Sequence, residues 1–229
     1  MSRLDVLAEE LEETGRVWFR GALGNEELLN LDQICNVAGR PGLRLDWSRQ
    51  LDTVLGINSV ITRLARSILL NCNPVRLVVF NKSPNSNWLV PWHQDRVIAV
   101  DQRCEADGYS NWSQKSGVWH CEPPIDLLYS MIFARVHLDD ADKQNGCLQL
   151  ARGTHKLGLI KASKADEAAR AAPIETCVAR RGDILFVKAL TLHRSEPSKS
   201  KAQRRALRVD YSGVSLSAPL EWALTSNRA

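Results

Sequence analysis

Tyr129-Ser130-Met131-Ile132-Phe133-Ala134-Arg135-Val136-His137-Leu138 is the stretch that decides the fold class. Successive side chains of a strand point to opposite faces. Met131, Phe133, Arg135 and His137 therefore share one face, and Ile132, Ala134, Val136 and Leu138 share the other. Outward from this strand, short β-rich runs recur at residues 76–81, 90–100, 146–150, 175–179, 183–187 and 206–211, with turn signals between them at residues 84–87 and at Gly182-Asp183. Many short strands punctuated this way predict a β-sandwich or jelly roll, a double-stranded β-helix. The first third is helical instead. Leu4, Leu7 and Leu11 repeat at helical spacing up to Gly15, and residues 16–20 read as a short strand. Asn25 caps a second helix through Leu28, Leu29 and Ile34, and residues 60–71 form a third. The expectation is a mainly β chain with flanking helices. It forms one domain over 1–229, with helical support over about 1–74 and a cupin-like jelly-roll core over about 75–213. Residues 102–126, with two prolines, read as a long irregular insertion of the kind that serves as a lid.

Composition excludes several classes. Hydrophobic residues make up 44% and charged residues 24%, as in an ordinary soluble domain. A net charge of +4 is too small to argue for nucleic acid, and the basic stretch from Lys199 to Arg208 reads, Arg204 apart, as a solvated loop entering a strand. Cys35, Cys72, Cys104, Cys121, Cys147 and Cys177 form no C-x-x-C pair, which fits a reducing compartment without disulfides or zinc. The N-terminus has no basic and apolar leader, and no apolar run reaches about 18 residues. A cytoplasmic protein without membrane contact is expected.

Chemistry enters with His93-Gln94-Asp95 and His193, which follows Asp95 by 98 residues. A short His-x-Asp pattern recurs by chance, and its weight comes from the company it keeps. On a strand, His93 and Asp95 share a face, and His193 and Ser195 do the same. Two imidazoles and one carboxylate make the 2-His-1-carboxylate face of a non-haem Fe(II) site, which leaves positions open for a bidentate 2-oxo acid and for O2. Arg204, eleven positions after His193, supplies a guanidinium that can grip the far carboxylate of 2-oxoglutarate with help from the Ser195 hydroxyl. His120, His137 and His155 take the ordinary reading of hydrogen-bonded histidines. Lys82, at a strand end, and Arg135, sharing a face with Phe133, are candidate substrate contacts. A cation inside a barrel wants an anionic partner: substrate, 2-oxoglutarate, or a structural carboxylate such as Asp139. Trp88, Trp92, Trp112 and Trp119 are either core or pocket lining.

Five stretches carry a family resemblance. They are Asn87-Trp88-Leu89-Val90-Pro91-Trp92-His93-Gln94-Asp95, Leu138-Asp139-Asp140 with Asn145-Gly146-Cys147-Leu148, Arg152-Gly153-Thr154-His155-Lys156, Gly182-Asp183-Ile184-Leu185-Phe186, and His193-Arg194-Ser195 through Arg204. With them the chain resembles the phytanoyl-CoA dioxygenase family of Fe(II)/2-oxoglutarate oxygenases between about Val75 and Tyr211. The resemblance implies iron ligands at His93, Asp95 and His193, and a 2-oxoglutarate clamp at Arg204 and Ser195. It also implies a Trp lining the 2-oxoglutarate pocket, for which Trp112 is the match. Arg152 stands where many members have Pro.

The implied reaction consumes 2-oxoglutarate and O2, releases succinate and CO2, and oxidises a C–H bond of a small molecule. Hydroxylation is the first expectation. Desaturation and cyclisation use the same chemistry, whereas halogenation is disfavoured because related halogenases replace the residue at Asp95 with a small one. A nucleic-acid or protein demethylase is a second reading. Alkylation-repair demethylases carry another Arg six positions after the clamp Arg, and here that position is Asp210. A non-catalytic jelly-roll binding protein is the third, disfavoured by a complete ligand triad.

Overall fold

The computed structural model describes residues 3–37 and 40–226, with side chains from Asp5 to Leu224 outside that gap. The apolar face of the quoted strand is where the fold is anchored. The helical third comprises α1 (Arg3–Thr14), β1 (Arg16–Phe19), α2 (Asn25–Ile34), β2 (Gly42–Arg44), α3 (Arg49–Leu55) and α4 (Val60–Ile68). Strands β3 (Asn73–Lys82), β4 (Val90–His93), β5 (Ile98–Val100), β6 (Ser110–Lys115) and β7 (Val118–Glu122) come next. Then follow α5 (Ile125–Tyr129), β8 (Met131–His137), β9 (Leu148–Ala151), α6 (Ala165–Arg170) and β10 (Ile174–Thr176). The chain ends with β11 (Ile184–Lys188), β12 (His193–Ser195), β13 (Arg204–Ser212) and α7 (Ala223–Ser226).

A six-stranded sheet runs in the order β1-β11-β8-β13-β3-β2, and every pairing in it is antiparallel. Its outer face presents Ile132, Ala134 and Val136 of β8, Leu207, Val209 and Tyr211 of β13, and Leu77 and Val79 of β3. Against these pack Leu11 of α1, Leu28 and Leu31 of α2, Leu51 and Leu55 of α3, and Ile61 and Ala65 of α4. The Leu4 side chain lies outside the described residues. Each fully buried Leu, Ile or Phe contributes on the order of 1.5–3 kcal/mol, so this one seam holds the helices to the sheet. The inner face turns towards a four-stranded sheet, β10-β9-β12-β4, and Phe133, Leu185 and Val187 meet Leu148 and Leu150 across the gap. Two sheets face to face over an inner cavity form the expected double-stranded β-helix.

Local readings needed correction. Gly24, not Asn25, caps α2, because its N–H donates to the Glu27 carboxylate at 2.9 Å. The third helix of the reading stops at Ile68, where Leu69 turns extended, and the reading passed over α3, whose Leu51, Val54 and Leu55 stand at i, i+3, i+4 spacing. The strand expected over 90–100 breaks at Gln94 into β4 and β5. Residues 102–126 are not an irregular loop. Most of them form a hairpin, β6–β7, which adds to β5 as a three-stranded sheet. Its turn is Ser116-Gly117, both residues with positive φ (51° and 81°), the two-residue geometry that matches strand twist. The sequence hides it because the strands are polar and the turn is Ser-Gly rather than Asn-Gly.

Tyr211 tests the seam. It is fully buried, and its hydroxyl lies 3.1 Å from Thr62 Oγ1, which donates to the Leu55 carbonyl. Tyr211→Phe removes that link between sheet and helices. The expected loss is about 1 kcal/mol, read as a fall of roughly 2–4 °C in melting temperature. An unchanged melting temperature would show that the hydroxyl adds nothing to the packing.

Candidate active site

β12 is three residues long and paired on both sides, with β9 and with β4. In the β4 pairing His193 stands opposite His93, and the two rings lie 4.2 Å apart between centroids. Asp95 follows just beyond the end of β4, its N–H held by the Ala189 carbonyl at 3.2 Å. The ligand atoms of His93, Asp95 and His193 all fall within 4.8 Å of one another, and no other such His/Cys/Asp/Glu group occurs among the described residues. Gln94, between the ligands, points the other way. Its amide donates to the carbonyls of Gly158 and Leu190, both at 2.8 Å, and accepts from the Ile160 N–H. It thereby ties the loop at 158–160 to the ligand strand.

Hydrogen bonds fix the imidazole tautomers. His93 Nδ1 lies 2.9 Å from the Pro91 carbonyl, and His193 Nδ1 lies 2.9 Å from the Thr191 carbonyl. A carbonyl only accepts, so each Nδ1 carries a proton and each Nε2 is the nitrogen turned towards the site. His193 Nε2 faces Asp95 Oδ2 at 3.2 Å. A proton or a metal ion between the two accounts for an approach that close. Burial, and then the neighbouring His193, push the His93 pKa down to about 4, so His93 is neutral at pH 7 as a metal ligand must be. This donor set fits Fe(II).

The carboxylate is held from behind. Arg208 Nη1 donates to Asp95 Oδ2 at 2.7 Å and Arg208 Nε donates to Asp210 Oδ1 at 2.6 Å. Arg76 Nε donates to the other Asp210 oxygen at 2.6 Å. The Arg208 guanidinium also lies over the Phe133 ring, 4.3 Å from its centroid. Burial alone would raise the Asp95 pKa, but the charge of Arg208 outweighs it and holds the carboxyl well below its usual range. Asp95 is therefore ionised and aimed before any metal arrives.

At the other end of the same cavity, about 280 Å³ in volume, stands Arg204. It is 2% exposed, and its Nε and Nη1 have no hydrogen-bond partner. Burial lowers its pKa to about 10. Ser195 lines the cavity beside it, donating to the Gly146 carbonyl at 3.3 Å. Gly146 has φ of +69°, and a Cβ there would sit 2.3 Å from the Glu196 carbonyl, so only glycine lets this loop approach β12.

The remaining candidates separate. Lys82 shares its face of β3 with Val78 and Phe80 and stands opposite Arg204 at the end of the cavity, not among its lining residues. It is fully buried, donating to Ser195 Oγ at 2.7 Å and to the Glu196 carbonyl, and so holds Ser195. Burial, and then the charges of Arg204 and Arg135, lower its pKa to about 7. Arg135 does line the cavity, and Asp139 does not neutralise it, because Asp139 is engaged by Arg205 at 2.7 Å. Trp112 lies elsewhere. On β6 it packs with Trp119 and Tyr109 against Ile98, Val100 and Trp222, because the segment after Asp95 folds into the hairpin. Trp88 lines the cavity instead, and Trp92 is buried among alanines on the far side of its strand. His120, His137 and His155 each bond a backbone carbonyl. Sequence reasoning missed Arg76, Arg44 and the function of Arg208. The i, i+2, i+4 spacing of Arg204, Ala206 and Arg208 was a usable signal for the last, and nothing local pointed to Arg44. A roomier surface groove of about 640 Å³ beside residues 212–222 has Glu221 as its sole ionisable lining residue and brings no ligand set together.

Two predictions follow from the electrostatics. Arg208→Gln should lower metal affinity by about ten- to a hundred-fold, measured by equilibrium dialysis. Unchanged affinity would mean that Asp95 is oriented without it. The second concerns pH. Burial lowers His93 and His120 to about 4 and His137 to about 3, from an ordinary 6.5. Below about pH 6.5 the unfolded chain takes up protons that the folded chain refuses, so stability falls with acid down to about pH 4. Urea unfolding at pH 7 and pH 5 should give a lower midpoint at pH 5, and a flat profile would contradict the buried neutral state.

Comparison with known proteins agrees with this geometry. The phytanoyl-CoA dioxygenase (PhyH) family model matches residues 25–206. No curated protein sequence matches the chain. Among solved structures, the chain is similar to the epimerase SnoN from nogalamycin biosynthesis, in complex with Fe3+, α-ketoglutarate and nogalamycin RO. That likeness has 18% identity, covers 91% of this chain and 83% of that one, and has a TM-score of 0.66. HygX from Streptomyces hygroscopicus with nickel and 2-oxoglutarate bound is 14% identical over 93% of this chain and 87% of that one, with a TM-score of 0.63. EctD from S. alaskensis in its apoform is 14% identical over 96% and 80%, with a TM-score of 0.64. At such identities the structures speak for the fold. The family match spans most of the chain and includes both histidines, Asp95 and Arg204, and it assigns the chain to the phytanoyl-CoA dioxygenase family, and so to the oxygenases that use Fe(II), 2-oxoglutarate and O2.

Proposed function

We propose that this protein hydroxylates a C–H bond of a small molecule, with His93, Asp95 and His193 holding Fe(II) and with Arg204 and Ser195 receiving the far carboxylate of 2-oxoglutarate. The observation that carries the reading is the presence, in one cavity, of the His93, Asp95 and His193 triad and a buried guanidinium with unpartnered donors. When bound, iron with 2-oxoglutarate and O2 supplies the oxidising power. 2-Oxoglutarate becomes succinate and CO2, one oxygen atom goes to succinate, and the other enters the substrate C–H bond as hydroxyl.

The chain's own residues do the rest. Arg208 keeps Asp95 ionised and pointed into the cavity, and Gln94 keeps the ligand strand against the loop at 158–160. Lys82 fixes the Ser195 hydroxyl. Val78, Phe80, Phe133 and Leu148 give the cavity apolar walls that exclude water, and Trp88 and Arg44 also line it. A cavity of this size suits a small molecule rather than a polymer. SnoN and HygX have been solved with nogalamycin RO and with hygromycin B bound, which supports the same substrate class here. The demethylase reading loses ground because Asp210 is engaged by both Arg76 and Arg208. All six cysteines are free, and among the described residues no helix is long and apolar enough to cross a membrane. Free thiols support placing the enzyme in the cytoplasm.

Anaerobic addition of Fe(II) and then 2-oxoglutarate tests the reading. The weak visible charge-transfer band of the chelate should appear in the native protein and vanish in Asp95→Ala and His193→Ala. A folded, metal-loaded protein without the band would favour the non-catalytic jelly roll.

A further inference from the structure

Of the six arginines lining the cavity, three have an acidic partner, and of the other three Arg44 is half-buried while Arg204 and Arg135 are buried. Arg208 is matched by Asp95 and Asp210, Arg76 by Asp210, and Arg194 by Glu196. Arg204 and Arg135 have no carboxylate within ion-pair distance among the described residues. They are also deeply buried, at 2% and 7% exposure, and the Nε of each has no hydrogen-bond partner. A buried guanidinium without a counter-charge is costly, and two in one cavity are costlier. Such an arrangement is expected where the counter-charge is a ligand.

The register shows where Arg135 reaches. Its Cα partner on β13 is Arg208, but its guanidinium carbon lies 5.8 Å from the Phe80 ring centroid on β3. Phe80 is the Cα partner of Ala206. The Arg135 side chain therefore leaves β8 and crosses β13 towards the Ala206 level, where the small side chain leaves it room. That level lies one inward position from Arg204. After burial itself, the charge of Arg204 is the strongest influence on Arg135, and the two together push its pKa down to about 9.

We infer that Arg135 is a second cation of the 2-oxoglutarate pocket, sharing with Arg204 the far carboxylate of the cosubstrate and making the pocket selective for a dicarboxylic oxo acid. This rests on the functional reading above. A carboxylate has lone pairs enough for two guanidinium forks, and it discharges both cations at once. An oxo acid ending in a methyl group leaves both unpaired. Arg135 is here a specificity residue for the cosubstrate, not a substrate contact.

The test uses two ligands that differ only at the far end, 2-oxoglutarate and 2-oxovalerate, titrated anaerobically into Fe(II)-loaded wild type, Arg135→Gln, Arg135→Lys and Arg204→Gln. Arg135→Gln should weaken the 2-oxoglutarate chelate by about ten- to a hundred-fold and leave the 2-oxovalerate chelate unchanged. Arg135→Lys should recover part of the loss. A metal-free readout stands beside it. Glutarate, which keeps the far carboxylate and lacks the keto group, should raise the melting temperature of wild type more than that of Arg135→Gln. Without ligand, Arg135→Gln should melt at the same temperature as wild type or higher, because an unpaired buried charge has been removed. A merely structural arginine would move that temperature down.

The inference fails if Arg135→Gln binds 2-oxoglutarate as wild type does while Arg204→Gln does not, or if it loses both oxo acids equally. Should Arg135→Gln not fold, the inference fails on stability, and Arg135→Lys still reports the ratio between the two oxo acids. No band in the wild type would sink the functional reading itself. A band in the wild type, with no discrimination lost in either Arg135 variant, sinks the inference alone.

Discussion

The register of β13 is the constraint on which the rest depends. It lies between β8 and β3 in the six-stranded sheet, and its side chains alternate between two incompatible environments. Leu207, Val209 and Tyr211 enter the apolar seam under the helices. Arg204, Arg208 and Asp210 belong to the cavity and the charge network behind it. A slip of one residue would drive three charged groups into the seam and three apolar groups into the site. The energy that holds the fold thus also holds Arg204 in the cavity and the support for Asp95 in place. The helical third contributes no metal ligand, but by covering the outer face it fixes the register that places them.

The second sheet works by a different economy. β12 has three residues, too few to be stable alone, and it is held because β9 and β4 bond it from both sides. That double pairing sets His193 opposite His93, so the geometry of two ligands is a property of the backbone. The third ligand lies beyond the strand end and is set by side chains: Arg208 behind its carboxylate, and Gln94 anchoring the preceding residue to the loop at 158–160. Rigid histidines and a side-chain-supported carboxylate are consistent with a metal whose remaining positions must stay open to exchange.

The parts of this arrangement that were legible in the sequence are those that a strand spells out locally. Period-two alternation marked β8 and β13, and i, i+2 spacing placed His193 with Ser195; His93 and Asp95 do converge, but Asp95 does so from beyond the end of β4. Loops and the placement of single aromatics were not legible in this way. Trp112 was assigned to the cavity by its position after Asp95, but the β6–β7 hairpin carries it to the cluster around Ile98 and Trp222. The hairpin itself was hidden, because its stability comes from that cluster and from pairing with β5 rather than from β propensity. Arg44 and Arg76 reach the cavity from strands that the sequence places far from the ligands, a contact created only when the six strands assemble.

Charge completes the account. Every cation near the ligands is a cost until it is matched, and the chain matches them in two ways. Around Asp95 it uses its own carboxylates, and the chain Arg76–Asp210–Arg208–Asp95 is closed within the protein, which keeps the ligand aimed in the free state. Around Arg204 it uses none, so the free protein carries buried charge that only an anion can discharge. The first arrangement preorganises Asp95, and the second leaves a guanidinium that an anion would match. One strand, β13, supplies the central arginine of both, four residues apart. The distance between the metal end and the carboxylate end of the cavity is therefore set by strand geometry, at roughly 3.3 Å per residue, rather than by the flexibility of any loop.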